Sequence, residues 1–206
     1  MNKAEFIELV QVNLAGGDTP DDIKGKYHPE VLAAYIELAI EDFAAQTYRS
    51  KRQKNPMSLD SITSTFNCVE IKCDEKRGEM YIDVPVPYVN VPMGEGIRWI
   101  SPQRSVSDRF EKVSAGQVGG LLGLEAAEYF ELYYVENQRV YFYNLAEGRK
   151  EVRVCLIPKF RSLKDTDEIN IPEARNIELF QSIKALIREQ KLTREDLVNQ
   201  NPSDNQ

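Results

Sequence analysis

The spacing of apolar positions changes period twice along the chain. From Lys3 to Leu14, residues Phe6, Ile7, Leu9, Val10 and Leu14 recur at helical intervals, and Gly16-Gly17 supplies a stop. In "DTPDD", Asp18 or Thr19 offers a cap, Pro20 suits a first helical position, and Asp21 and Asp22 favour the positive end of the dipole. One or two helical turns are predicted there. The strongest helical pattern is "HPEVLAAYIELAIEDFAAQTYRSKRQK". Pro29 opens it, and Val31, Leu32, Tyr35, Ile36, Ala39, Ile40 and Phe43 share one broad face. Its acids lie early and its bases late, as the helix dipole favours, and Asn55-Pro56 ends it.

From Ser61 the period drops to two. "ITSTFNCVEIKC" is rich in β-branched and aromatic residues, "DEKRG" reads as a turn, and "EMYIDVPVPYVNVP" returns in extended form, which together predict a hairpin. Pro85, Pro87 and Pro92 remove backbone donors, so the return arm is an edge strand or a solvated arm beyond Val84. "GIRWISP" is a short strand, and "SDRFEKVSAGQVGGLLGLEAAE" is mostly irregular. "YFELYYVENQRVYFYN" holds two alternating runs, Tyr129 to Val135 and Arg139 to Asn144, around "ENQ". A third run, "EVRVCLIP", is predicted to pair with the second across "LAEGRK" and complete a three-stranded antiparallel meander.

Helical spacing resumes beyond Pro172, with Ile177, Leu179 or Phe180, Ile183, Leu186 and Ile187 on the apolar side. "LTREDLVNQ" offers one further turn, and "NPSDNQ" reads as a disordered polar tail. The expected architecture is α+β. Residues 1–57 form an N-terminal helical segment, and 58–160 an antiparallel β-sheet or barrel-like region with extended arms. Residues 161–192 form a C-terminal helix packed on the N-terminal helices, and 193–206 a polar tail.

Composition narrows the function classes. The 206 residues suit one domain, or one domain with a modest appendage, a single globular body being the default, and no apolar run approaches the ~18 residues of a membrane span. Glu5, Glu8, Gln11 and Asn13 interrupt the N-terminus, unlike a signal peptide. Three cysteines at low density fit free thiols in a cytoplasm, packed as small buried hydrophobes. The net charge of −7 argues against broad nucleic-acid binding. "YRSKRQK" (48–54) is a local exception, and it reads as helix C-terminal complementation or as a phosphate-binding patch.

No catalytic, cofactor or metal residue is assigned. The only histidine, His28, precedes Pro29 at a helix start, and Cys68 and Cys73 would point to opposite faces of one strand. "SAGQVGGLLG" lacks both a Gly-Lys-Ser/Thr ending and G-x-G-x-x-G, so it is read as a loop that orders against a partner. The aromatics Tyr129, Phe130, Tyr133, Tyr134, Tyr141, Phe142 and Tyr143 include consecutive residues that a strand sends to opposite faces, so one core accounts for only about half of them. Helix, loop or partner must cover the rest.

The order of helices, β region and returning helix, carried by "HPEVLAAYIELAIEDF", "YYVENQRVYFYN" and "VCLIPKFRSLKDTDEINIPEARNIELFQSI", resembles the head-to-tail connector (neck or ring adaptor) proteins of short-tailed, crAss-like bacteriophages. In those proteins a strand pair leads through V-x-x-x-P, an acidic stretch and a proline into the last helix. The resemblance covers about residues 28 to 190. It implies a homo-oligomeric ring in the virion neck, commonly a dodecamer, assembled in the host cytoplasm between the portal protein and neighbouring tail or ring proteins, with packaged DNA only as a non-specific channel contact. Closed rings use heterologous contacts between unlike faces, and an acidic wall would let DNA slide.

The residues assigned to subunit or partner contact are Val86, Tyr88, Val89, Val91 and Met93 of the arm, Trp99, Leu121, Leu122, Tyr134, Tyr141, Tyr143 and Ile183. The arm is expected to pair with or lie along a neighbour, so that deleting 86–95 spares monomer folding. The alternatives are a non-viral homo-oligomeric interaction module and an enzyme with an unrecognised site.

Overall fold

The computed structural model describes residues 1–15, 28–51, 62–91, 95–121, 130–171 and 173–199. In chain order the elements are α1 (Lys3–Ala15), α2 (Pro29–Lys51), β1 (Ser64–Glu70), β2 (Lys72–Asp74), β3 (Glu79–Asp83), β4 (Ile97–Pro102), β5 (Glu111–Lys112), α3 (Ala115–Leu121), β6 (Leu132–Glu136), β7 (Arg139–Tyr143), β8 (Glu151–Leu156) and α4 (Glu173–Asn199), with a 3-10 turn at Phe160–Ser162. The class is α+β. The chain divides into a helical unit, Met1–Ile62 with Leu163–Gln206, and a β unit, Thr63–Ser162. The helix predicted at "DTPDD" and the last three residues of "YRSKRQK" (52–54) lie outside the described residues, and α2 ends at Lys51 within that basic run.

In the helical unit α1 begins with a reciprocal cap. The Glu5 N–H donates to Asn2 Oδ1 at 2.8 Å, and the Asn2 N–H donates to Glu5 Oε2 at 2.9 Å, which satisfies two of the helix's orphan donors. The same stretch is held to the segment leading into α4. The Lys3 N–H donates to the Asp167 carbonyl at 3.2 Å, the Ile169 N–H to the Met1 carbonyl at 3.0 Å, and Lys3 Nζ to the Leu163 carbonyl at 2.7 Å. Asn2→Ala should therefore lower stability by about 0.5–2 kcal/mol in a denaturant titration. An unchanged midpoint would mean that the Met1–Ile169 ladder alone fixes the helix start.

Phe6, Leu32, Ile36 and Ile183 are fully buried, with Val10, Ile40 and Leu179 at 1%. α4 packs on α2 and touches α1, where Phe6 stacks on Phe180 with ring centroids 6.1 Å apart. Val31 departs from the predicted face. At 100° per residue it sits about 140° around the helix from Ile36, and it is 51% exposed. α4 continues to Asn199, beyond the single extra turn and into the predicted tail.

The β unit contains two sheets among the described residues, not closed into a barrel. One is antiparallel in the order β1-β8-β4. The other runs β2-β3-β7-β6-β5, antiparallel apart from the parallel β5/β6 pair. Ile82, Val140, Phe142 and Tyr133 of the larger sheet share a core with Ile100, Val152, Val154 and Leu156 of the smaller.

The predicted hairpin exists only at its tip. Lys72 pairs with Tyr81 and Asp74 with Glu79 across a turn closed by the Gly78 N–H on the Asp74 carbonyl at 2.7 Å, and Gly78 takes the positive φ of 69° that the turn requires. At buried Ile71 the chain leaves this sheet, so β1 pairs with β8 instead. Cys68 sits at the β1 bulge with φ 54°. Cys68 and Cys73 therefore occupy strands of different sheets and are exposed, and only Cys155 is the buried apolar residue that all three were expected to be.

The three-stranded meander is also corrected. β7 pairs with β3 and β6, whereas β8 lies between β1 and β4. Val152, Val154 and Leu156 on one face of β8 are buried, as are Cys155 on the other face and Ile157 just past its end. A strand apolar on both faces belongs at a sheet centre, with neighbours on both edges. The glycine-bearing segment, expected as a loop, is α3. At its start the Gln117 side chain reaches back, its Oε1 accepting from the Ser114 N–H and Oγ, both at 2.9 Å, as in the second half of a capping box.

The proline arm packs on its own chain. Tyr88 bridges Pro158, with the Val89 N–H donating to the Ile157 carbonyl at 2.8 Å and the Lys159 N–H to the Pro87 carbonyl at 2.9 Å. That register asks Pro87 for an acceptor only and Pro158 for nothing, so neither proline breaks it. Val89 and Val91 are 4% and 2% exposed. Deleting 86–95 would remove buried side chains and ladder bonds, which overturns the expectation that monomer folding survives.

Candidate assembly surface

Alternation along the five-stranded sheet fixes which side chains face away from its core. Tyr81 of β3 pairs in register with Tyr141 of β7, and Tyr141 with Tyr134 of β6, so three phenol rings form one lateral row. Tyr134 and Tyr141 stack at 5.3 Å with 15° between planes, and Tyr81 and Tyr141 lie 5.8 Å apart. One row along, Asp83 pairs with Arg139 and Arg139 with Glu136.

Cations cover this row. The Arg77 guanidinium lies 4.9 Å from the Tyr141 ring centroid and pairs with Glu136; Arg139 lies 4.5 Å from the Tyr81 centroid and bonds Asp83 at 3.2 Å. Lys72 reaches Asp83 at 2.7 Å, and the Tyr134 hydroxyl donates to Glu79 at 2.9 Å. Burial, with the Glu79 carboxylate helping, pushes that hydroxyl up to about 12, so it stays a neutral donor at physiological pH. The covering expected for the second sheet face thus comes partly from Arg139 of β7 and from Arg77 of the β2–β3 turn, stacked as cation–π partners.

The Lys72 hydrogen bond, with Arg139 adding to it and burial opposing, holds the Asp83 carboxyl below the usual carboxylate range. A folded-state pKa below the unfolded value stabilises above the ordinary carboxylate range, and that contribution is lost as pH falls through the folded pKa. Asp83→Asn should therefore lower the melting temperature at neutral pH, with the difference shrinking between about pH 5 and pH 2. A difference independent of pH would assign the loss to packing rather than charge.

The residues expected at partner contacts do not form one site. Tyr134 and Tyr141 sit together in the stacked row, and half-buried Tyr143 follows on the same face of β7. Val86 and Tyr88, also half-buried, line a cleft of about 450 Å³ with Pro85, Asn90, Gln138 and Lys159, while Val89 and Val91 of the same arm are buried. Trp99 lies on β4 with the Arg109 guanidinium 5.1 Å from its ring. Ile183 belongs to the helical unit's core. Leu121 ends α3, and Met93 and Leu122 lie outside the described residues.

Arg77, Arg139, Tyr81 and Asp83 were not singled out from the sequence. For Arg139, Tyr81 and Asp83 the signal is the alternation in "EMYID" and "RVYFY", which places Glu79, Tyr81 and Asp83, and Arg139, Tyr141 and Tyr143, on single faces, whereas Arg77 sits in the "DEKRG" turn, where alternation says nothing.

In the helical unit the exposed apolar residues of α2 are Val31 at 51% and Leu38 at 50%, seven residues apart and hence on one side of the helix; Tyr35, half-buried, falls between them. Among the described residues no group of three or more His, Cys, Asp or Glu side chains is placed to hold a metal, and no helix is long and apolar enough to cross a membrane. The chain matches no protein-family model and no curated protein.

Proposed function

We propose that this chain is a structural virion protein whose copies form a ring in the neck between portal and tail, surrounding the DNA channel, with a binding rather than a catalytic role. The observation that carries the reading is the two-sided apolar character of α2. One side, with Leu32, Ile36 and Ile40 at 0–1% exposure, is buried within its own unit, and the Val31/Leu38 side is left half exposed. A helix apolar on two sides has a second partner to meet. Side-by-side helix packing between copies is what the resemblance to phage connectors implies. The Arg–Tyr plate of the β unit adds a surface rich in residue types that dominate protein interfaces.

The acidic net charge of −7 suits a channel that passes DNA without holding it. Assembly in the host cytoplasm and residence in the virion neck follow from the same reading. Negative-stain electron microscopy of the purified chain, alone and mixed with portal protein, is the test. Closed rings with a central opening are expected. Rings that form but never seat on a portal would favour the non-viral homo-oligomeric module, and particles that stay single in both samples would overturn the proposal.

A further inference from the structure

Two helices of the helical unit each carry a stripe that is left outside its core. On α2, Val31, Tyr35, Leu38 and Asp42 recur at i, i+4, i+7 and i+11, within about 40° of one line along the helix. Val31 and Leu38 are half exposed, Tyr35 is half-buried and Asp42 is exposed. On α4 the same spacing picks out Ile177, Gln181, Lys184 and Arg188. Ile177, at 63%, is the most exposed large apolar side chain among the described residues, although Leu179 and Ile183 of the same helix are buried. The stripes are alike in apolar content and unlike in charge. Asp42, which accepts from Gln46 Nε2 at 2.6 Å, lies on the α2 stripe, Glu30 and Glu41 flank it about 80–100° round the helix, and the cation Arg49 comes only toward its end. The α4 stripe carries Lys184 and Arg188, while Glu178 and Glu189 lie about 100–120° away from Ile177. Two α4 stripes set together would oppose like cations, and two α2 stripes would oppose acids. One of each joins opposite charges beside an apolar contact.

We infer that the α2 stripe of one copy docks on the α4 stripe of the next, an inference that rests on the ring-assembly reading and names the surface that meets Val31 and Leu38. The occupant is a second copy because the chain itself carries the stripe of matching period and opposite charge. Ile177 meets the Val31/Leu38 side as the apolar centre, and Lys184 and Arg188 meet the acids of α2 at its rim. The contact is heterologous: each copy offers its α2 stripe to one neighbour and its α4 stripe to the other, as a closed ring requires.

The experiment uses the full-length chain with Leu38→Glu, which blocks the α2 stripe, or Ile177→Glu, which blocks the α4 stripe. Each is studied alone and in a one-to-one mixture by native mass spectrometry over a range of protein concentrations, with melting temperatures measured on each. Both positions are exposed, so both variants should melt within a few degrees of the parent. Each alone should need about tenfold or more protein than the parent to associate. The mixture should give a one-to-one pair and nothing larger, because each variant keeps the stripe that the other lacks. Lys184→Glu combined with Arg188→Glu, which leaves the apolar contact in place, should weaken assembly about tenfold or more and alter its salt dependence. If Ile177→Glu melts well below the parent, the Lys184→Glu/Arg188→Glu variant takes its place in the mixture and the same outcomes decide. An α4-stripe variant that assembles as the parent does, or a mixture that forms no pair, overturns the pairing and leaves the ring reading standing as long as the parent closes rings. If the parent itself never associates, both readings fall.

Discussion

Ile183→Asp is expected to unfold the helical unit. Ile183 is fully buried on α4, which packs on α2, in a unit whose core also includes Phe6, Leu32, Ile36, Leu179 and Ile187. A carboxylate at a position with no solvent exposure loses its hydration, and the loss should exceed about 4 kcal/mol, a large part of a domain's total stability. Circular dichroism should show reduced helix content at 25 °C or a much lower first melting step. Ile183→Ala, which leaves only a cavity, should cost about 2–5 kcal/mol and retain a folded chain with a lower midpoint. A near-parental melt for the aspartate variant would contradict the packing of α4 on α2.

Gly96→Ala is the second large effect, and it acts in the β unit. A methyl group at this buried position would lie 2.1 Å from the Val89 carbonyl oxygen and 2.6 Å from Tyr88 Cδ2. The ring edge can swing aside, but the carbonyl is backbone of the arm whose Val89 N–H bonds Ile157, while Gly96's own carbonyl accepts from the Ile157 N–H at 2.8 Å. One methyl therefore forces the arm and β4 apart where both meet the end of β8. A loss of about 1–3 kcal/mol follows, a fall of several degrees in melting temperature. Gly116→Ala, with nothing within 4 Å of the added atom, is the control and should be neutral or slightly stabilising because it lies inside α3. Equal melting of both variants would remove the steric account of the arm.

Elements whose cause is local were legible in the sequence. Pro29 and the 3.6-residue spacing after it locate α2, alternation on either side of "ENQ" locates β6 and β7, and "DEKRG" locates the β2–β3 turn. Partners set by distant residues were not. Nothing near β8 says that it prefers β1, nearly ninety residues earlier, to adjacent β7; its two-faced burial does, and that depends on both sheets being in place. Ile71 looks like one more strand residue, and only the shared core explains why the chain changes sheets there. α3 was hidden because Gly116, Gly119 and Gly120 dilute its helical pattern, although the Ser114–Gln117 capping pair stands in plain sequence. The prolines of the arm show which hydrogen bonds it cannot make, but the chain against which it makes the others was not legible.

The candidate surface follows the same division. That aromatic side chains occupy both faces of β6 and β7 is a matter of counting by twos. That Arg77 and Arg139 lie over Tyr141 and Tyr81 depends on the register of three strands and on a turn outside them. The predicted contact residues were chosen for apolar or aromatic character, and several of the largest, among them Val89, Val91 and Ile183, are buried in their own unit. Val31 and Leu38, assigned on the sequence to a core face or passed over, remain half exposed.

The central claim is that copies of this chain assemble into a closed ring that engages a portal, and native mass spectrometry of the intact chain, first alone and then with portal protein, tests it most directly. The account predicts one dominant closed stoichiometry of about a dozen copies, formed alone or on the portal, and dispersed by Val31→Glu or Leu38→Glu. A stable monomer or dimer that ignores the portal, or a ring indifferent to both substitutions, would contradict it.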